Sequence, residues 1–414
     1  MRVLSVNKFH YRRAGAETVY FDTARLLAER GHETVPFAMQ HPRNEPTPWS
    51  RFFPSHVEFR APGGPRERLA RAARVLYSFE ARDCMRRALA EARPDLVHLH
   101  NYAHQLSPSI LDAAREARVP VVQTVHDYKP TCPTYQHRTP DGQVCERCLH
   151  GRYYHCVIHR CNAGSLPMSL VNAAEMTWHR LRGSYEAIDL YLCPSRFEYA
   201  KLLEAGVPGE RLAEVPHYVF ARDFAPCHDP RGHVLFAGRL SPEKGLATLL
   251  AAHARVAGSR LVLAGDGPQR AWLEARAREL GIAGRTRFAG HLTGADYDRA
   301  WDEAALLVLP SEWWEVRPMV LHEAYARGKP VLTTRIGSIP EIVRDGVTGR
   351  LVAPRDPAAL AAGLAEMLGD PERLGAMGRA GRAYLEAELT PERHWAALEA
   401  AYRRALERHG RRWA

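Results

Sequence analysis

The 414-residue chain contains no apolar run approaching the roughly 18 residues that a membrane-crossing helix needs. Its opening strand is interrupted by Asn7 and Lys8 too soon for the apolar segment of a secretion signal, so the expected setting is the cytoplasm. Cysteine is sparse, at eight residues, and in a reducing compartment those thiols do not read as a disulfide framework. No internal repeat or low-complexity segment stands out, which excludes a solenoid or fibrous chain. Acidic residues are outnumbered: 47 Asp and Glu face 57 Lys and Arg, a formal charge of +10 with a pI near 9.3. That balance admits nucleic acid, an anionic membrane surface or small anionic substrates as partners. Much of it is Arg scattered over helix faces, as in Arg66 to Arg93 and Arg403 to Arg412, for which a solvated surface is the competing reading; no nucleic-acid role is expected. The specific reading is peripheral attachment to an anionic membrane, at its inner face.

What is present is a soluble globular composition, with 46% hydrophobic and 25% charged residues, long enough for two domains with separate cores. Short apolar strands alternate with helical stretches. Strands are expected at Arg2 to Asn7, Thr34 to Met39, Leu96 to His100, Val121 to Val125 and Leu190 to Pro194. A second set follows at Val234 to Ala237, Leu261 to Ala264, Arg287 to Gly290, Ala304 to Pro310 and Val331 to Thr334. Residues 40 to 65 read as a proline-rich loop, Arg66 to Ala92 as one basic helical stretch, Leu170 to Glu186 as an amphipathic helix, and Gly346 to Val352 as a hairpin. The alternation predicts an α/β chain of two doubly wound parallel sheets. Domain limits are expected at 1–212, carrying a Cys-rich insert at 129–167, at 213–390, and at 391–414, a last helix returning to the first domain.

In such sheets ligands bind at the carboxyl ends of the strands. Gly15, at a helix start, lets backbone approach a ligand, although an ordinary tight turn explains it equally well. His126 and Asp127 end a strand at such a position; a hydrogen-bonded turn is the competing reading. Lys129 to Pro167 then holds five of the eight cysteines, Cys132, Cys145, Cys148, Cys156 and Cys161. The C-x-x-C pair Cys145 and Cys148, with two more thiols nearby, suits a tetrahedral structural zinc in a segment too short and polar for a core of its own. Reduced thiols in an ordered loop are the alternative.

In the second half, GRLSPEKG (238–245) turns a strand into a helix, and Arg239 and Lys244 flank that helix start, where they can neutralise a diphosphate. Gly265-Asp266-Gly267-Pro268 follows the next strand; Arg270 stands where a dinucleotide fingerprint needs a small residue, which excludes an NAD site. Asp296 and Asp298 lie in a helix's first turn, where Asp is electrostatically favoured, and are not read as metal ligands. From Leu309 to Glu341 a strand, an aromatic loop, a helix entered at Pro318 and another strand carry Glu315 and Glu323, separated by seven residues. Two fixed acceptors suit sugar hydroxyls, and a helix start suits phosphate. Spacing alone leaves Glu315 as a solvated loop residue and Glu323 as a surface charge.

This stretch resembles the signature of the retaining GT-B glycosyltransferases of family 4, through Glu315, Glu323, Ala324, Gly328, Pro330, Val331, Pro340 and Glu341. Pro318 departs from it, standing where that family usually has glycine, as does Ala14 near the first strand. The resemblance covers nearly the whole chain. It implies two Rossmann-like domains with a cleft between them and transfer of a sugar from a UDP- or GDP-sugar to a glycan or lipid-linked hydroxyl, with retention at the anomeric carbon and no cofactor required. By the same resemblance, Arg239 and Lys244 stabilise the leaving diphosphate, Glu323 holds the ribose, Glu315 the sugar hydroxyls, and His126 the sugar from the first domain. Donor contacts are implied at Gly15, Asp127, Gly238, Gly265, Gly267, Pro318, Met319 and Val320. The loop after His126-Asp127-Tyr128 is similar to one in a bacterial polysaccharide subgroup, where Cys132, Cys145, Cys148 and Cys161 have counterparts and Cys156 does not. The competing readings are a non-catalytic zinc-bearing scaffold, a nucleotide-sugar epimerase, and a phosphorylase, which normally carries a much longer chain.

Overall fold

The computed structural model describes residues 1–59, 63–229 and 232–410. Residues 60–62 of the 40–65 loop, residues 230 and 231, and the end of the last basic stretch, including Arg411 and Arg412, lie outside them. The chain divides into two compact units, Met1–Pro216 with His394–Ala414, and His217–Arg393.

In unit 1 the order is β1 (Arg2–Val6), α1 (Gly15–Glu29), β2 (Glu33–Phe37), α2 (Pro65–Leu76), α3 (Phe79–Ala92), β3 (Leu96–Leu99), α4 (Ser109–Glu116), β4 (Val121–Thr124), α5 (Tyr154–Ile158), α6 (Leu166–Leu181), β5 (Leu190–Cys193), α7 (Arg196–Glu204) and β6 (Leu212–Glu214). The strands form one parallel sheet in the order β2-β1-β3-β4-β5-β6. Its strands are buried on both faces, as helix-covered parallel sheets require. Val122, Leu190 and Leu192 face one apolar layer and Val121, Tyr191 and Cys193 the other, following the two-residue alternation of a strand. The C-terminal helix Pro391–Arg408 belongs to the first layer: Leu398, Ala401, Tyr402 and Ala405 cover that face of the sheet. Burial of a Leu or an aromatic of this kind contributes about 1.5–3 kcal/mol each.

Unit 2 runs β7 (His233–Ala237), α8 (Leu246–His253), β8 (Leu261–Ala264), α9 (Arg270–Glu279), β9 (Thr286–Gly290), α10 (Gly294–Asp302), β10 (Ala304–Leu309), α11 (Met319–Ala326), β11 (Val331–Thr334), α12 (Ile339–Ile342), β12 (Gly349–Val352), α13 (Pro357–Gly369) and α14 (Pro371–Glu388). Its parallel sheet has the order β12-β11-β10-β7-β8-β9 around one apolar core. The order reverses between β7 and β10 in this unit and between β1 and β3 in the first, so the carboxyl ends of those strands form the crevices where such folds bind ligands.

Four features differ from the sequence reading. Arg66 to Ala92 is two helices, because Tyr77 is extended and Ser78 restarts the chain as an N-cap that accepts from the Ala81 N–H at 3.1 Å. Gly346 to Val352 is not a hairpin: Gly349–Val352 pairs parallel with Val331–Thr334. Leu212–Glu214, at the expected domain limit, adds a sixth strand beside β5. The Cys-rich insert has a small core after all, in which Cys148, Tyr153 and Cys156 pack on Ala173 and Met176 of α6.

Candidate functional site

In unit 2 the loop after β7 ends in Lys244 and the loop after β10 carries Glu315, and the reversal of strand order puts these ends side by side. Lys244 Nζ lies 2.7 Å from Glu315 Oε1, and the Ser311 hydroxyl donates to the same oxygen at 2.5 Å. Glu315 is buried, not a solvated loop residue; its side chain is 6% exposed and that of Lys244 20%. Lys244 also lies over the Trp313 ring, 5.6 Å from its centre. Arg239 is exposed, and its guanidinium makes no hydrogen bond or ion pair among the described residues.

Two glycines make this approach of loops feasible. Gly245 has φ +69°, and a Cβ there would come within 2.0 Å of the Pro310 carbonyl oxygen. Gly337, with φ +56°, would meet the backbone N and O of Glu315 at 2.7 and 2.8 Å, and the neighbouring Ser338 N–H donates to the Glu315 carbonyl at 3.0 Å. Gly238, Gly265 and Gly267 serve the adjoining loops. A Cβ on Gly265 would sit 1.8 Å from the Gly238 carbonyl oxygen, and one on Gly267 2.3 Å from that of Leu240, so the turns after β7 and β8 interlock backbone to backbone.

Pro318 is the N-cap residue of α11, just outside the first turn where the sequence put it; the helix starts at Met319, and Met319 and Val320 are half-buried. Glu323, one turn on, is not a free surface charge. Tyr297 donates to its Oε2 at 2.8 Å and Arg327 Nε to its Oε1 at 3.2 Å, while Arg327 also pairs with Asp298 at 2.7 Å. Burial pushes the Glu323 carboxyl up, against the opposing pull of Arg327 and Tyr297. Asp298 thus has a structural ion pair, which the first-turn reading did not foresee.

In unit 1, His126 follows β4 and its Nε2 lies 2.9 Å from His100 Nδ1, with the rings stacked at 5.2 Å. His98 stacks on the other side of His100 at 4.3 Å and bonds Tyr402 of the C-terminal helix and Thr124, each at 2.7 Å. His98 and His100 are buried and His126, at the end of the row, is half-buried. Burial, with the Lys8 charge second, takes the His126 ring down to about 3, so at neutral pH it is an uncharged hydrogen-bonding group. The Asp127 carboxylate accepts from the Lys129 N–H at 2.9 Å, closing the turn, and burial pushes its carboxyl up. Gly15 opens α1 beside the extended Ala14.

The loop thiols gather around Cys148, whose thiol is pushed up to about 12 by burial and then by Cys132, Cys161 and Cys145. The Cys156 thiol donates to the Ser169 carbonyl at 3.7 Å, Cys132 Sγ lies 3.4 Å from Thr134 Oγ1, and all are reduced. The donor chemistry suits zinc; among the described residues no three such side chains stand in a metal-holding arrangement, so nothing in the mechanism is routed through a metal.

Several residues of these sites were not singled out from the sequence: Ser311, Tyr297, Arg327, Gly337, His98 and His100. Only Gly337 carried a signal, a glycine in a short loop after a strand. The others acquire partners through contacts that span 26 or more residues or depend on a side-chain direction.

Known proteins resemble this chain in sequence and fold. The sequence pattern of the family described as "Glycosyltransferase Family 4" matches residues 13–219, half of the chain, and that of "Glycosyl transferases group 1" matches 225–384. The chain is 32% identical over 416 residues to D-inositol 3-phosphate glycosyltransferase of Thermobispora bispora, covering 95% of this chain and 91% of that one. It is 38% identical over 160 residues to glycogen synthase of Mycobacterium tuberculosis, a match that spans only 38% of either chain. Among solved structures, the Anabaena HepE complex with UDP and glucose superposes with a TM-score of 0.68 at 18% identity, covering 97% of this chain and 99% of that one. Sucrose-phosphate synthase of Thermosynechococcus elongatus gives 0.71 at 21%, covering 98% and 99%. With two six-stranded parallel sheets of the GT-B type and these full-length matches, the chain belongs to glycosyltransferase family 4.

Proposed function

We propose that the protein transfers a sugar from a nucleoside diphosphate sugar, a UDP-sugar first among candidates, to a hydroxyl of a glycan or lipid-linked acceptor, with retention at the anomeric carbon. The single observation that carries this reading is the Lys244–Glu315 contact at the strand-order reversal of unit 2, which joins a phosphate-neutralising cation to a polyol acceptor. The Anabaena HepE structure, a complex with UDP and glucose, supports the donor class.

In this reading the bond from the anomeric carbon to the β-phosphate oxygen breaks, a bond to the acceptor oxygen forms, and the acceptor's proton leaves with the diphosphate. Arg239 and Lys244 stabilise the charge that develops on the leaving group, which is the main electrostatic demand of such a step. Glu315 fixes sugar hydroxyls, Glu323 holds the ribose once it exchanges its bond from Tyr297, and His126 and Asp127 meet the sugar as neutral imidazole and turn carboxylate. Gly15, Gly238, Gly265, Gly267, Pro318, Met319 and Val320 contact the donor through backbone or stem. No cofactor takes part in the transfer. A structural zinc on Cys132, Cys145, Cys148 and Cys161 belongs to the same proposal, supported by the donor chemistry of those reduced thiols, and so does attachment to the inner face of an anionic membrane.

Thermal stability against a panel of nucleoside diphosphates and their sugars tests it. A ligand at about a hundred times its Kd adds about 2.7 kcal/mol of stability. Stabilisation by one diphosphate family, lost in Glu323→Ala, supports the donor site and names the base; no response to any nucleotide sinks it. The anomeric configuration of the product, read by NMR, tests retention.

A further inference from the structure

The helix α6 is amphipathic in the reversed sense. Its buried face carries Ser169, Asn172, Glu175 and His179 beside Ala173 and Met176, while its water-facing stripe is Leu170, Ala174, Trp178 and Leu181. At 100° per residue those four lie within roughly 80° of arc. Trp178 is 47% exposed and Leu181 80%. A stripe of this kind in water is unusual, because the ordinary solvent face of a helix is charged.

The stripe is not isolated. Among the described residues, nine of the fourteen large hydrophobic side chains left exposed fall between Tyr135 and Leu181, and Leu69 and Phe79 add two more from α2 and α3. Both α2 and α5 pack against α6. The Arg182 guanidinium lies 5.5 Å from the centre of the Trp178 ring and 5.3 Å from that of Tyr77, whose ring is 4.9 Å from Phe79. One apolar surface therefore runs from α6 through Tyr77 to the start of α3.

Its charge is mainly positive, although Arg74, Arg82 and Arg182 are paired with Glu80, Asp83 and Asp112. Residues 63–82 and 165–182 contain seven arginines and three glutamates, with no lysine or aspartate. One of those glutamates, Glu175, is buried against Lys129 and does not reach the surface. A second copy of the chain docking by two-fold symmetry would set this arginine-rich face against itself. A bilayer bearing anionic headgroups meets both demands, since arginine binds phosphate while Trp and Leu enter the interface.

We propose that the α2–α6 face of unit 1, with the Leu170–Leu181 stripe at its centre, is the surface by which the protein docks on an anionic lipid bilayer. This rests on the membrane attachment in the reading above and names the surface that performs it.

The test is co-sedimentation of the full chain with phosphatidylcholine vesicles, with and without phosphatidylglycerol, at low and high salt, each preparation also assayed for UDP-induced thermal stabilisation. Binding at least about tenfold tighter to the anionic vesicles and weakened by salt is expected. Trp178→Glu with Leu181→Glu, and separately Arg66→Glu with Arg68→Glu, should each abolish that preference while the UDP response persists. All four sites are exposed, and an unchanged melting temperature without ligand checks folding. Equal binding to both vesicle types, or wild-type sedimentation by both variants, overturns the proposal. So does a wild-type dimer in size-exclusion chromatography that Leu181→Glu makes monomeric, because the face is then covered by a second copy. Variant-sensitive vesicle binding in a protein with no nucleotide response leaves this surface standing and overturns only the transferase reading.

Discussion

Replacing Lys244 by methionine keeps the apolar stem and deletes the cation that faces Glu315. At 2.7 Å, and with an effective dielectric of about 20, the gross attraction is about 6 kcal/mol. Most of that is offset by the desolvation of two charges, and removing one partner of a fully buried pair costs about 3–5 kcal/mol. Here Lys244 keeps a fifth of its side chain in water and Ser311 remains on Oε1, so the expected loss is about 2 kcal/mol. For a unit of about 180 residues this lowers Tm by roughly 4–8 °C. Adding Glu315→Gln should restore most of that loss, since no unpaired carboxylate then stays buried. Nucleotide binding should behave differently. Loss of a charge-assisted bond to phosphate, about 1.5–3 kcal/mol, weakens UDP about tenfold to a hundredfold, and the second substitution does not recover it. Calorimetric scans of the four proteins of this cycle, with and without UDP, separate the two effects. An unchanged Tm and an unchanged UDP response in Lys244→Met would refute the reasoning, as would recovery of UDP binding in the double variant.

Further outcomes follow from the same geometry. Gly337→Ala places a Cβ against the Glu315 backbone at a left-handed φ; the strain alone costs about 1–2 kcal/mol, and donor affinity should fall with it, measured by melting and UDP titration. Unit 1 should lose stability in acid. His98 and His126 are both held down to about 3, so between about 6.5 and 3 the unfolded chain binds protons that the folded one refuses, costing up to about 2 kcal/mol per ring at about pH 5. Melting temperatures that stay flat from about pH 7.5 to about pH 5 would contradict this. If the loop thiols hold zinc, elemental analysis finds one equivalent, Cys145→Ser with Cys148→Ser abolishes it, and a chelator lowers Tm; metal-free protein of unchanged Tm would discard that assignment. Tyr402→Phe removes the partner of His98 Nδ1 and should cost about 1–2 kcal/mol by leaving a buried ring nitrogen unpaired.

The alternation of apolar strands with helices was legible in the sequence, because strands buried on both faces must be continuously apolar and the loops between them polar; Ala304–Leu309 and Val331–Thr334 were read almost to the residue. Glycines with a steric duty, Gly245 and Gly265 among them, were legible as loop positions. The partners of the site residues were not. That Glu315 is buried on Lys244, 71 residues away, depends on β10 lying beside β7, an order that local pattern does not encode. The same holds for the imidazole column, assembled from β3, the end of β4 and a helix some 300 residues later. The reversed polarity of α6 was hidden for another reason: periodicity reports that a helix has an apolar stripe, and only its neighbours decide which stripe meets water. Local pattern dictated the strands, the turns and the chemistry available at their ends. Which ends meet, and which faces stay exposed, was settled in three dimensions, because strand order and helix orientation come from packing between residues far apart in the chain.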